Sequence, residues 1–166
     1  MTFPTEVAIP LLKDIKTQAP NAVCVVAPTN VSTNIIVNST SPPFDNIDIR
    51  HALALALDRK AFISILFEGQ ADIGGTMLPA PDGLWAMPQE MLQQIPGYGS
   101  DVDANREAAR KLMQKAGFGP DKHLAVKVST RNISIYRDPA VILIDQLKSI
   151  YIDGELDVVD TAQWFP

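Results

Sequence analysis

The last third of the chain constrains the fold most. Leu124–Ser129 alternates apolar with small or polar residues, and Leu156–Val159 has the same strand-like character. Between them stands Asp138-Pro139, a capping side chain followed by the residue whose fixed φ suits the first helical position. A helix is therefore predicted from there to about Tyr151. Strand, helix, strand in that order fits a crossover onto one shared sheet. The expected class is α/β.

Upstream, helical spacing dominates. Ala109, Leu112, Met113 and Ala116 share one face of a helix predicted over Asn105–Ala116, with Asn105 as N-cap and Glu107 in the first turn. Gly117-Phe118 then fits a left-handed stop with Phe118 folding back on Met113. In Ile47–Ile63, Leu53, Leu55 and Leu57 alternate as in a strand. The alanines between them are poor strand fillers and good helix formers, so two successive helices are expected instead. Asp45 or Asn46 caps the first. Asp58 caps the second, which runs to Glu68 and stops at Gly69. Thr5–Thr17 reads as a short helix with Pro10 at its start or at a kink, and Val23–Val26 and Ser32–Asn38 read as strands. The glycines and prolines between Gly74 and Pro88 predict a long ordered loop.

Composition removes several function classes. Fourteen Lys and Arg against nineteen Asp and Glu leave a net charge of −5, a poor match for nucleic acid phosphates. The longest apolar run, Ala52–Leu57, is far too short to span a bilayer. Cys24 is the only cysteine, so no disulfide framework or thiolate metal cluster is expected. His51 and His123 match no metal spacing, and no nucleophile elbow, phosphate loop or dinucleotide fingerprint is present. No catalytic residue, metal or cofactor is expected. An enzyme using Cys24 with His51 or His123 ranks last among the readings. The helical charges Asp58-Arg59-Lys60 and Arg106-Glu107 with Arg110-Lys111 read as solvated faces.

Candidate binding residues are of three kinds. Arg131 follows the strand that begins at Leu124, near its carboxyl end, where ligands sit in open α/β sheets. A guanidinium there suits a bidentate grip on a carboxylate, and it equally suits a surface loop. Trp85 and Trp164 offer flat apolar platforms with one donor each, for a ligand or for the core. Asn34 and Asn38 belong to a dense set of uncharged hydrogen-bonding groups running from Thr29 to Ser41.

Two blocks carry a family resemblance. Pro43-Phe44-Asp45-Asn46-Ile47-Asp48-Ile49-Arg50-His51-Ala52-Leu53-Ala54-Leu55-Ala56-Leu57-Asp58-Arg59 resembles a signature of the peptide/nickel family of extracellular solute-binding proteins, the ligand-capturing components of ABC importers. Asn105–Phe118 resembles that family's Asp-Pro-x-Lys-Ala-x-x-Leu-Leu-x-x-Ala-Gly helix, with Asn105 and Arg106 in the Asp-Pro positions. Ile150-Tyr151-Ile152 stands where the family commonly has Ile-Gly-Ile. The resemblance implies a periplasmic-binding-protein lobe of type 2, a mixed sheet flanked by helices. It implies a non-enzymatic protein, periplasmic or extracellular and membrane-associated. Such a protein takes a peptide or other small organic ligand and hands it to an ABC permease. Both termini then read as cuts. Residues 1–28 would be the end of a first lobe and the crossover, and residues 29–166 the front part of the second. A half-cleft would be lined by Asn34, Asn38, Trp85, Arg131 and Trp164. A ligand-sensing or signalling module built on the same lobe is the alternative.

Overall fold

A computed structural model of the chain describes residues 9–26, 32–75 and 87–164. The chain divides into two compact units, one of residues 1–32 and 59–87, the other of residues 33–58 and 88–166. In the first, a 3-10 turn (Ile9–Leu11) leads into helix α1 (Leu12–Gln18) and packs against α3 (Arg59–Phe67). The second unit holds α2 (Ile47–Ala56), α4 (Gln89–Leu92), α5 (Val102–Lys115), β1 (Leu124–Arg131), α6 (Ser134–Lys148), β2 (Ile152–Val159) and α7 (Thr161–Trp164).

The crossover is present. β1 and β2 pair in parallel, from Leu124 opposite Ile152 to Arg131 opposite Val159, and α6 packs across both. Among the described residues the pairing is parallel, without the antiparallel strand a mixed sheet would add. Gly154 lets α6 sit close, since a Cβ there would stand 2.8 Å from Ile144 Cγ1. Leu124 and Ile152 join Ala140, Leu143, Leu147 and Ile150 in the buried core. The second core lies between α2 and α5. Ala52 and Ala56, one turn apart on α2, and Ala109 on α5 are fully buried, so small side chains line both helices of this contact.

Several local expectations are met. Asn46 caps α2, its side chain accepting from the Asp48 amide at 2.9 Å. Arg50 donates back to the carbonyls of Phe44 (2.7 Å) and Asp45 (3.1 Å), which gives three residues of the first family block a structural task. α2 and α3 are separate helices, and α3 ends with Glu68 at φ +49 and Gly69 at φ +80. α5 ends in the expected stop, with Gly117 at φ +89 and the amide of Phe118 bonded to the Met113 carbonyl at 2.9 Å. At the turn where the family has glycine, Tyr151 itself adopts φ +66.

Other expectations are corrected. α5 starts at Val102 with Asp101 as its cap, accepting from the Ala104 amide at 2.9 Å; Asn105 lies inside the helix and donates to the Gly99 carbonyl. α6 starts at Ser134, straight after the strand, and Pro139 falls inside it. The expected strands Val23–Val26 and Ser32–Asn38 are not formed among the described residues: both stretches are irregular, and Val23 and Ile36 are 90% and 93% exposed. β-branched side chains favour a strand only where a neighbour exists to pack against. The 74–88 loop lies largely outside the described residues. Among the described residues no helix is long and apolar enough to cross a membrane.

Candidate functional site at the carboxyl ends of the strands

The parallel pair places two segments at one edge. β1 ends at Arg131, and the amide of Asn132 still donates to the Val159 carbonyl at 3.1 Å. The Ile133 amide turns back to the Arg131 carbonyl at 2.8 Å, and α6 begins one residue later. Tyr136 therefore sits in the first turn of α6, with the Arg131 guanidinium 5.0 Å from its ring centroid. Stacking of this kind fixes the plane of a guanidinium without using its N–H donors.

Beyond β2, Asp160 accepts from the Ala162 amide at 2.8 Å and starts α7, which ends at Trp164. Ile135, Tyr136, Val158 and Trp164 are all large apolar or aromatic residues left at least a third exposed around this edge. The edge combines a half-buried, stacked cation with apolar surface. Chemically it can orient an anionic group and cover an apolar one.

Of the residues singled out in the sequence, Arg131 and Trp164 come to the same end of the sheet. Asn38 spends its amide locally: its Oδ1 accepts from the Thr40 amide (3.1 Å) and hydroxyl (2.8 Å), and its Nδ2 donates to Ser41. Asn34 is exposed in the extended stretch before α2, and Trp85 lies outside the described residues. Tyr136 was not singled out; its five-residue spacing from Arg131 becomes telling only once α6 is known to start at Ser134.

The charged face of α5 is less solvated than expected. Arg106 donates to the Ala56 carbonyl at the end of α2 (3.3 Å), and Arg110 donates to the Ser149 carbonyl at the end of α6 (3.3 Å). Cations at helix carboxyl ends complement the macrodipole. Arg110 also bonds Glu107 at 2.6 Å, and that bond, then the guanidinium charge, holds the Glu107 carboxyl below its ordinary range. At the amino ends of the strands, His123 Nδ1 lies 3.1 Å from Asp153. Among the described residues no three His, Cys, Asp or Glu side chains are grouped to hold a metal ion.

Solved structures with the same arrangement define the class. The Escherichia coli murein tripeptide binding protein MppA superposes with a TM-score of 0.68 over 94% of this chain and 30% of its own, at 15% identity. Haemophilus influenzae OppA, in complex with the peptide RPPGFSPFR, gives 0.66 over 92% of this chain and 29% of its own, at 21% identity. The fold is that of a type 2 periplasmic-binding-protein lobe. Residues 2–166 match the family model described as "Bacterial extracellular solute-binding proteins, family 5 Middle", and the chain belongs to that family. The periplasmic oligopeptide-binding protein OppA of Escherichia coli K12 is 26% identical over 134 residues, 80% of this chain and 23% of its own length. The glutathione-binding protein GsiB of Salmonella choleraesuis is 27% identical over 143 residues, 86% of this chain and 26% of its own. The chain thus spans about a quarter of the length of these relatives.

Proposed function

We propose that this chain is part of a solute-binding protein that captures a peptide or other small organic solute outside the cytoplasmic membrane and delivers it to an ABC permease. It does so without catalysing a reaction. In this reading residues 1–28 belong to the end of a first lobe and the crossover, and residues 29–166 to the front part of the second. Arg131 grips a carboxylate of the solute, while Tyr136 and Trp164 cover its apolar part. The observation that carries the reading is the placement of Arg131, stacked on Tyr136, at the carboxyl ends of parallel strands in a chain of this family.

A double-mutant comparison on the whole protein tests it. A charge-assisted hydrogen bond contributes about 1.5–3 kcal/mol, so Arg131→Met should weaken binding of a peptide by about 10- to 100-fold in calorimetry. Amidating the peptide's carboxyl terminus should weaken wild-type binding similarly and cost the variant little more, because the two changes remove one interaction. Peptide binding unaffected by Arg131→Met would remove Arg131 from the site. Failure of the whole protein to bind any peptide or small organic solute would overturn the function itself.

A further inference from the structure

Helix α6 begins without a side-chain cap. Its N-cap position falls on Ile133 (φ −135°, ψ 134°), whose side chain has no atom that accepts a hydrogen bond. Asn132 and Ser134, both good capping residues, stand one position off on either side. The amides of Tyr136 and Arg137 donate to the Ile133 carbonyl at 3.0 and 2.9 Å. Those of Ser134 and Ile135 have no acceptor among the described residues. A 15-residue helix thus offers two free N–H groups and the positive end of its dipole beside Arg131.

A buried hydroxyl lies at the same place. Thr130 is 6% exposed, and its hydroxyl bonds no described residue. Side chains alternate along β1, so Thr130 shares the face of Leu124, which is buried in the core with α6. It is the last residue of β1 on that face, four positions before the helix starts, and so lies beneath the first turn of α6. Buried hydroxyls are ordinarily bonded. The carboxylates at this end of the sheet are engaged elsewhere: Asp138 with Arg137 at 3.3 Å, Asp160 with the Ala162 amide at 2.8 Å and Asp157 with Ser129 at 2.8 Å. Three donors therefore stand at one helix end without an acceptor from the described residues.

Building on the role given to Arg131, we propose that the open start of α6 is the other half of the carboxylate site. The amides of Ser134 and Ile135 and the Thr130 hydroxyl bind the solute's carboxylate together with the guanidinium. Ile133 in the capping position keeps these amides available. An Asp, Asn, Ser or Thr there would close the helix from within and compete with the solute.

The test follows the amides of Ser134 and Ile135 by NMR in the whole protein, at neutral pH and constant ionic strength, with acetate as the probe. Acetate should move both amide protons downfield and saturably, and acetamide should not. Ser134→Pro removes one donor while suiting the first helical position after an extended residue, so the fold should persist and acetate affinity should fall about tenfold. Ile133→Asp should raise the urea midpoint and abolish the acetate response. Thr130→Val should weaken acetate about threefold. If Ile133→Asp does not fold, Ser134→Pro decides alone. Acetate leaving both amides unmoved would overturn the proposal, as would unchanged acetate affinity in Ser134→Pro or tighter binding of sulfate than of acetate. These results are independent of the transport reading: a whole protein whose peptide binding falls with Arg131→Met but not with Ser134→Pro keeps that reading and loses this one.

Discussion

Gly97→Ala probes the packing of the loop before α5 against the end of α2, and its cost can be worked from geometry. Gly97 has φ +88°, and an added Cβ would lie 2.0 Å from the Ala54 oxygen, 2.7 Å from the Ala54 carbonyl carbon and 3.3 Å from Leu55 Cα. The left-handed conformation costs an alanine about 1–2 kcal/mol. The overlap is with backbone, which no rotamer change relieves, so the loop or the last turn of α2 must move; overpacking of this kind costs about 1–3 kcal/mol. The sum is about 2–5 kcal/mol. Gly117→Ala supplies the control. Gly117 has the same sign of φ, +89°, with nothing within 4 Å of its would-be Cβ, so only the conformational cost applies. Urea unfolding of both variants should show Gly97→Ala the less stable by about 1–3 kcal/mol at similar m. Equal losses would mean that Gly97 does not abut Ala54, and the tight seat of this loop on α2 would be wrong.

Two further outcomes follow from other contacts. Arg110→Met should raise the Glu107 carboxyl towards its ordinary range in an NMR titration, because the Arg110 bond is the first cause of its depression and the Arg110 charge the second. A carboxyl depressed in the folded state contributes above its unfolded value and loses that contribution as pH falls through the folded one, so the variant should lose less stability than wild type across that acid window; a Glu107 titration unchanged by Arg110→Met would contradict this. Under the half-cleft reading the 166-residue chain should bind the cognate solute at least about a hundredfold more weakly than the whole protein, since it keeps its own contacts but still meets the cost of association. Equal affinities in calorimetry would place the entire site within these residues.

Much of the second unit is legible because its signals are local and agree. The alternation at Leu124, the Gly117-Phe118 stop and the Asn46 cap each satisfy a backbone requirement within a few residues. Errors arise where two local signals compete. Asp101 and Asn105 are both good caps, and the earlier one wins because Val102–Ala104 are free to wind. Asp138-Pro139 has the form of a helix start, yet α6 begins where the strand ends. The proline then deprives the Ile135 carbonyl of its partner, and Ile135 lies at the exposed start of the helix, where water can replace it. The segments 23–26 and 32–38 have strand composition but form no strand among the described residues, because a strand also needs a neighbouring strand, which composition does not reveal. At the site, element order alone points to Arg131, but Tyr136 stays hidden while the start of α6 is misplaced. The local use of Asn38 was readable: Asn-Ser-Thr is a sequence in which the amide side chain bonds the backbone two residues on.

Under the proposed binding role, the strand-end edge is better suited to choosing a solute than to holding one. A guanidinium that bonds a carboxylate contributes about 1.5–3 kcal/mol. Covering roughly 100 Å² of apolar surface at Tyr136 and Trp164 adds about 2.5 kcal/mol. Together these barely match the lower end of the association cost, about 4 kcal/mol upward. Tight binding therefore needs a second surface, whereas discrimination needs only this one. Under that role a solute lacking the carboxylate forgoes the Arg131 bond, and that loss is felt however many contacts the rest of the protein supplies. On this argument, substitutions at Arg131 should change which solutes are bound more than how tightly the best remaining one is held.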